Sequence, residues 1–134
     1  MKRQRYLDTS HGQVAFLHII GLENVGGDSK ETGMDVGFLC LKETGKDTVE
    51  LAVMGVLKNY QRNGIGRQLV ETAKDIAFAK GYSFLQVKTV KMGKYDVYDK
   101  TNLFYLSCGF REFEVFPTLW DVENPCQVYV MSLR

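Results

Sequence analysis

The sequence predicts an α/β layer fold, with helices packed on one mixed β-sheet. Three observations carry this expectation. Short apolar runs bounded by turn residues recur along the chain, as buried strands do. One long segment has its apolar residues at helical spacing, with Ile65, Leu69, Ala73, Ile76 and Ala77 on one face. That segment sits between two apolar runs, the arrangement of a crossover helix that joins parallel strands.

Taken in order, residues 13–20 (QVAFLHII) read as a strand and 21–33 as a loop rich in turn residues. Residues 34–42 form a second strand, 43–47 a turn and 48–57 a third strand. The short connection makes the second and third strands a hairpin. A helix is expected from about Gly64 to Lys80, where Gly81 supplies a left-handed cap. Residues 83–90 then form a strand parallel to 48–57. A short helix follows at about Lys100 to Cys108, with Gly109 at its cap. Residues 110–116 and 126–133 read as the last two strands, joined by the proline-bounded segment 117–125. The expected order is β-β-β-α-β-α-β-β.

The 134 residues are the size of one domain, taken as 1–134. Hydrophobic residues make up 45% and charged residues 25%, enough apolar material for one real core. A net charge of +1 argues against a dedicated nucleic-acid binder. The basic start, MKRQRYLDTS, is followed by no apolar run, so it is not read as a signal peptide. No apolar stretch approaches the ~18 residues of a membrane span. A cytoplasmic protein without membrane or nucleic-acid partners is the expectation. Cys40, Cys108 and Cys126 never form a C-x-x-C pair, and the histidines are His11 and His18. No metal site is expected from them, and reduced thiols fit best. Cys108 and Cys126 read as small buried apolar residues.

The stretch NYQRNGIGRQLV, residues 59–70, places Gly64 and Gly66 at the mouth of the long helix. A helix start leaves backbone N–H groups unpaired and favours negative charge. Glycine lets a bulky anion approach them, although each glycine in a first turn costs up to ~1 kcal/mol. A P-loop would need G-x-x-x-x-G-K-S/T, which is absent. A dinucleotide fingerprint would need glycine where Leu69 stands and an acid where Lys88 and Thr89 end the next strand. Gln61-Arg62-Asn63-Gly64-Ile65-Gly66 instead matches Q/R-x-x-G-x-G/A. A second motif is Tyr105-Leu106-Ser107-Cys108-Gly109-Phe110, a helix with tyrosine four residues before Gly-Phe.

In these two motifs, and in the elements around them over about residues 36–133, the chain resembles the GNAT superfamily of N-acetyltransferases. The resemblance implies a GNAT-like mixed sheet flanked by helices, and acetyl transfer from acetyl-CoA as cosubstrate to a primary amine. The amine would attack directly in a ternary complex. It implies a pyrophosphate loop made of Gln61, Arg62, Asn63, Gly64, Ile65, Gly66 and Arg67, with Lys58 adding positive charge nearby. The coenzyme's pantetheine would pair with the strand at Met54, Gly55 and Val56. Gly55 reads equally as a bulge or close ligand approach and as simple weakening of the strand. Tyr105 is the candidate to stabilise the leaving thiolate; a core tyrosine beside Phe104 and Phe110 is the bland reading. Glu50, eleven positions before Gln61, is the candidate base, with water or an ordinary strand glutamate as alternatives.

The chain also departs from the family. Tyr98 stands where asparagine is frequent, and Asn102, one turn before Tyr105, is the expected substitute contact to the coenzyme. Residues 1–33 lack the two helices usual in the family, so a shortened N-terminal region is expected. An open acceptor site, or one completed by a second copy in a homodimer, would follow. Trp120 would either wall the acceptor pocket or lid the core. Two other functions compete. TNLFYLSCGF, 101–110, also resembles the helix end of glyoxalase-type metal enzymes. A non-catalytic module that binds acyl-CoA would keep the loop without the acceptor pocket.

Overall fold

A computed structural model describes the backbone of residues 2–9, 12–25, 28–58 and 64–134, and the side chains of 36–58 and 64–134. The elements are β1 (Lys2–Thr9), β2 (Gly12–Val25), β3 (Asp28–Glu43), β4 (Thr48–Val56), α1 (Ile65–Ala79), β5 (Phe84–Val90), α2 (Asp96–Ser107), β6 (Arg111–Asp121) and β7 (Asn124–Ser132). They build one mixed seven-stranded sheet in the order β1-β2-β3-β4-β5-β7-β6. Only β4 and β5 run parallel, as the crossover through α1 requires.

Four differences from the sequence reading stand out. An additional strand, β1, pairs with β2. Residues 21–33, expected as a loop, mostly extend the β2–β3 hairpin, with Gly21 opposite Thr32 and Val25 opposite Asp28. Main-chain pairing there overrides weak strand propensity, which depends on context. The segment 117–125 is not a free connection either, because β6 runs to Asp121 and a two-residue turn returns the chain at Asn124. A register shift between Phe116 and Asp121 accommodates Pro117 on this edge strand, where its missing N–H costs least. The second helix begins at Asp96 rather than Lys100, with Asp96 and Asp99 in its first turn, where acids favour the helix dipole.

Alternation decides where the helices sit. Leu39 and Leu41 of β3, Val49 and Leu51 of β4, Leu85 and Val87 of β5, and Tyr129 and Met131 of β7 are alternate residues in one buried cluster. They share one face of the sheet. Leu69, Val70, Ala73, Ile76 and Ala77 of α1 complete that cluster, with Phe110 after α2. The two helices touch each other there: a Cβ on Gly66 of α1 would come 3.2 Å from the Phe104 ring of α2. The Arg67 guanidinium donates to the Ser107 carbonyl at 3.1 Å and to its hydroxyl at 2.9 Å, tying the start of α1 to the end of α2.

Helix α1 is seated through Gly37 of β3. A Cβ there would meet Leu69 Cδ1 at 2.9 Å, the Gly55 carbonyl oxygen at 3.1 Å and Ile65 Cγ2 at 3.2 Å. Gly37→Ala is therefore expected to destabilise the protein by about 1–3 kcal/mol, the usual cost of overpacking. Urea unfolding of the variant beside the parent measures it, and equal stability would show that α1 is not held this closely.

Candidate active site

The sheet is split between β4 and β5. Their parallel pairing covers only Thr48–Phe84, Val49–Leu85 and Glu50–Gln86. Beyond it, the β3–β4 register jumps from Leu41–Leu51 to Cys40–Val53, leaving Ala52 as an extra residue on β4. Such a bulge bends its strand and increases the local twist. Strand β5 keeps its other neighbour throughout, up to Val90–Cys126. The two parallel strands therefore part just past Glu50.

A cleft of about 560 Å³ opens at that split. Ala52, Val53 and Met54 of β4 line one side, and Lys88, Thr89 and Val90 of β5 the other. Helix α2 contributes Tyr98, Thr101 and Tyr105. The β6–β7 hairpin contributes Trp120, Asp121 and Asn124. Trp120 is thus not a lid on the core; it is 46% exposed and walls the cleft.

Gly55 has its own explanation. It lies opposite Phe38 of β3, and a Cβ would collide with that ring. The bulge of β4 falls at Ala52, three residues earlier than the glycine suggested. Met54 and Val56 pack against the core cluster with their side chains, which leaves the β4 backbone as the part of these residues available to a ligand.

The start of α1 is open to an anion. Gly64 caps it with φ 75° and ψ 12°, a left-handed conformation that favours glycine. Among the described residues no side chain caps this end, and no acidic residue sits in the first turn. The first intrahelical bond of this turn runs from the Gln68 N–H to the Gly64 carbonyl, at 3.1 Å. The N–H groups of Ile65, Gly66 and Arg67 precede it and have no carbonyl within the helix. The Ile65 side chain is 2% exposed and belongs to the core, so only its backbone can serve a ligand. Gln61, Arg62 and Asn63 lie outside the described residues. Arg67 was expected at the phosphates, but its guanidinium is occupied by Ser107 of α2, so its backbone N–H is what this end offers.

Tyr105 lines the cleft with its ring among Phe104, Phe110 and Tyr129, at centroid distances of 5.7, 5.6 and 6.2 Å. Burial pushes its hydroxyl above the usual tyrosine value, and neighbouring Cys108 adds to the shift. None of the described residues hydrogen-bonds that hydroxyl. Its ring packs against the core, as the bland reading has it, and the residue also lines the cleft. Cys108 and Cys126 are buried, and burial pushes both thiols up.

Two candidate site residues are engaged inside the protein. Asn102 is 0% exposed and fully engaged inside the protein. Its Nδ2 donates to the Val90 carbonyl at 2.9 Å and to the Tyr98 carbonyl at 2.6 Å, while its Oδ1 accepts from the Tyr129 hydroxyl at 2.6 Å. Both amide donors are engaged, so Asn102 fastens α2 to β5 and β7. Glu50 is 8% exposed, and the same oxygen, Oε1, accepts from Gln86 Nε2 at 2.8 Å and pairs with Lys88 Nζ at 2.9 Å. That oxygen is therefore already engaged by two donors from β5. Glu50 sits at the fork between β4 and β5 as one half of an ion pair.

Lys88 is the cleft residue that the sequence reading passed over. Its signal was available: Gln86 and Lys88 alternate with Leu85 and Val87 in an otherwise apolar strand, so both polar side chains leave the core face together. Among the described residues no helix is long and apolar enough to cross a membrane, and no group of three or more His, Cys, Asp or Glu is placed to hold a metal.

The family model described as "Acetyltransferase (GNAT) domain" matches residues 23–112. No curated protein matches the sequence. Among solved structures, a Bacillus subtilis acetyltransferase in complex with CoA superposes with a TM-score of 0.72 at 16% identity, covering 100% of both chains. A GNAT family acetyltransferase from Elizabethkingia anophelis with acetyl-CoA bound gives 0.67 at 18% identity, covering 92% of this chain and 77% of that one. An IAA acetyltransferase from Bacillus cereus gives 0.67 at 22% identity, covering 91% and 78%. At such identities these likenesses show the fold.

Removing one partner of the fork's ion pair strands the other charge. Lys88→Met is expected to destabilise the protein by about 1–3 kcal/mol, less than for a fully buried pair, because the Lys88 side chain is 31% exposed. The double variant Glu50→Gln, Lys88→Met should recover most of the loss. Urea unfolding of the three proteins checks this; additive losses would mean that the two groups are not coupled.

Proposed function

The chain belongs to the GNAT family of acetyltransferases and is an acyltransferase, and we propose that it moves an acetyl group from acetyl-CoA to a primary amine by direct attack in a ternary complex. The observation that carries this reading is the parting of β4 from β5 with Tyr105 on its rim. Family membership displaces the glyoxalase-type reading. A cleft that reaches past the coenzyme strand to Trp120 and Asp121 favours a catalyst over a module that only binds the coenzyme.

The residues fit the coenzyme. Acetyl-CoA supplies an activated acyl group whose thiolate can leave. The backbone of β4 at Met54, Gly55 and Val56, beyond the last pair with β5, faces the coenzyme's amide-bearing arm in this reading, as an added strand would. The first-turn N–H groups of α1, together with the loop that holds Gln61, Arg62 and Asn63, bind the pyrophosphate in this reading. Each bond to a charged oxygen is worth about 1.5–3 kcal/mol. The cleft walls align the amine nitrogen with the acyl carbon, which lowers the entropic cost of the encounter. The C–N bond forms, the C–S bond breaks, and the electron pair leaves with sulfur. Tyr105 donates a hydrogen bond to that sulfur as its charge grows. Water takes the amine proton, since Glu50 is held by Lys88 and Gln86. A cytoplasmic setting completes the proposal; the three free thiols support a reducing compartment.

A panel of primary amines tested with acetyl-CoA, followed by release of free thiol, examines the activity itself. No acetylation of any amine, with coenzyme binding intact, would leave only the binding-module reading.

Two substitutions separate binding from chemistry. Gly64→Val is expected to weaken coenzyme A binding tenfold or more by calorimetry (about 1.4 kcal/mol per tenfold), because the left-handed cap would be strained and shift the amides. Space is not the reason, since a Cβ there meets nothing within 4 Å. Unchanged affinity in a folded variant would end the phosphate reading.

Tyr105→Phe should lower kcat by about 30- to 1000-fold, the loss of one transition-state donor, with little change in coenzyme affinity. Burial raises the Tyr105 pKa, so the hydroxyl stays protonated through pH values where a free tyrosine begins to ionise. The parent's kcat should accordingly show no fall below about pH 10 that the Phe variant lacks. A kcat equal in both proteins would remove Tyr105 from the mechanism.

A further inference from the structure

We propose that the outer part of the cleft is a subsite for an organic cation, so that the preferred acceptor is an amine whose far end carries a second positive charge held by Asp121, Trp120 and Tyr98. The proposal rests on the acetyl-transfer reading for what happens at the reacting amine; the cation subsite is a binding claim of its own.

The charge balance of the cleft points this way. Two charged side chains line it, Lys88 and Asp121. Lys88 is neutralised by Glu50, 2.9 Å away. Asp121 has no such partner: no lysine or arginine pairs with it among the described residues. Its Oδ1 accepts from the Asn124 N–H at 2.8 Å and from Asn124 Nδ2 at 2.9 Å, and Oδ2 from the same Nδ2 at 3.1 Å. These bonds close the hairpin turn and fix the carboxylate in place without cancelling its charge. Among the described residues the cleft therefore carries one uncompensated negative charge, at the hairpin.

Aromatic rings stand beside it. Trp120 precedes Asp121 and is 46% exposed; Tyr98, from the start of α2, faces the same cleft. Tyr98 is braced by Tyr95, edge to face at 5.9 Å. Large aromatic rings are normally turned into the core, and an exposed ring next to a fixed carboxylate attracts a cation through its face. Met54 and Tyr105 line the same cleft. An acceptor that reaches both ends presents its amine to the acyl group and its tail to Asp121. A neutral tail gains only the ring contact, and an anionic tail is repelled.

Three primary amines of similar length separate these cases: agmatine with a cationic tail, pentylamine with a neutral one and 5-aminopentanoate with an anionic one. Calorimetry at low salt, with and without saturating coenzyme A, is expected to show agmatine binding about tenfold tighter than pentylamine, and 5-aminopentanoate weakest. Asp121→Asn keeps an oxygen that can accept from Asn124, so the turn survives. It should bring agmatine to within about twofold of pentylamine. Trp120→Leu should weaken agmatine severalfold without this dependence on the turn, and serves alone if the first variant unfolds. Equal affinities for the three amines, or an agmatine preference unchanged in the folded variants, overturns the proposal. If coenzyme A fails to bind while the preference for agmatine persists, the acetyl-transfer reading fails and the cation subsite stands. If coenzyme A binds and the amines are not discriminated, the subsite fails alone.

Discussion

The structure depends on where the parallel pairing of β4 and β5 stops. A parallel pair would ordinarily continue along both strands, because each lost rung leaves backbone groups to be satisfied elsewhere. Here three pairs form, ending at Glu50–Gln86. The extra residue Ala52 bends β4 away, while β5 remains fully paired to β7. The result is an edge inside a sheet, flanked by two walls. Such an edge is a liability when it meets another protein strand, and an asset when a ligand with amide groups takes the missing place.

The fork needs stiffening, and its chemistry is local. At the last pair, Glu50 draws Gln86 and Lys88 of β5 toward β4 through a single carboxylate oxygen. The contact joins the strands at the branch point and leaves them free beyond it. Behind the fork, the two helices are locked on the same face. Gly37 admits α1 close to β3, Gly66 admits Phe104, and Arg67 bonds the last turn of α2. Asn102 then binds α2 to the β5 carbonyl at Val90 and to Tyr129 of β7. Because of these fastenings, the open N-terminus of α1 and the Tyr105 ring are held against one sheet face.

Much of this was legible in the sequence because it obeys periodicity. Helix α1 and strands β4 and β5 have strong apolar patterns, and their bounds differ from expectation by a residue or so. The β2–β3 ribbon beyond Gly21 was not legible: its composition is that of a loop, and its strand character comes from the partner strand. The start of α2 was missed although Asp96 and Asp99 marked it. Among site residues, spacing placed Asn102 and Tyr105 on one helix face, which was right, but spacing cannot say what that face meets. It meets Tyr129, and the shorter side chain is sealed in while the longer one reaches the cleft. Gly55 misled for a related reason. A glycine in a strand signals a close approach, and the approaching group here is the Phe38 ring of the adjacent strand. The pairing of Glu50 with Lys88 joins residues on two strands, and nothing in either strand alone announces it.

Tyr105 shows how one environment sets a chemical role. Free tyrosine, at about 10, is already a weaker acid than a thiol at about 8.5, so handing its proton to a thiolate is uphill. Burial among Phe104, Phe110 and Tyr129 moves the phenol further up and widens that gap. Outright protonation of the leaving sulfur by Tyr105 is thus disfavoured by the very packing that positions the ring. The same burial keeps the hydroxyl protonated, and a protonated phenol can donate to a developing negative charge. In the proposed acetyl transfer, Tyr105 would stabilise the sulfur without giving up its proton, and solvent would protonate the thiolate after it has left.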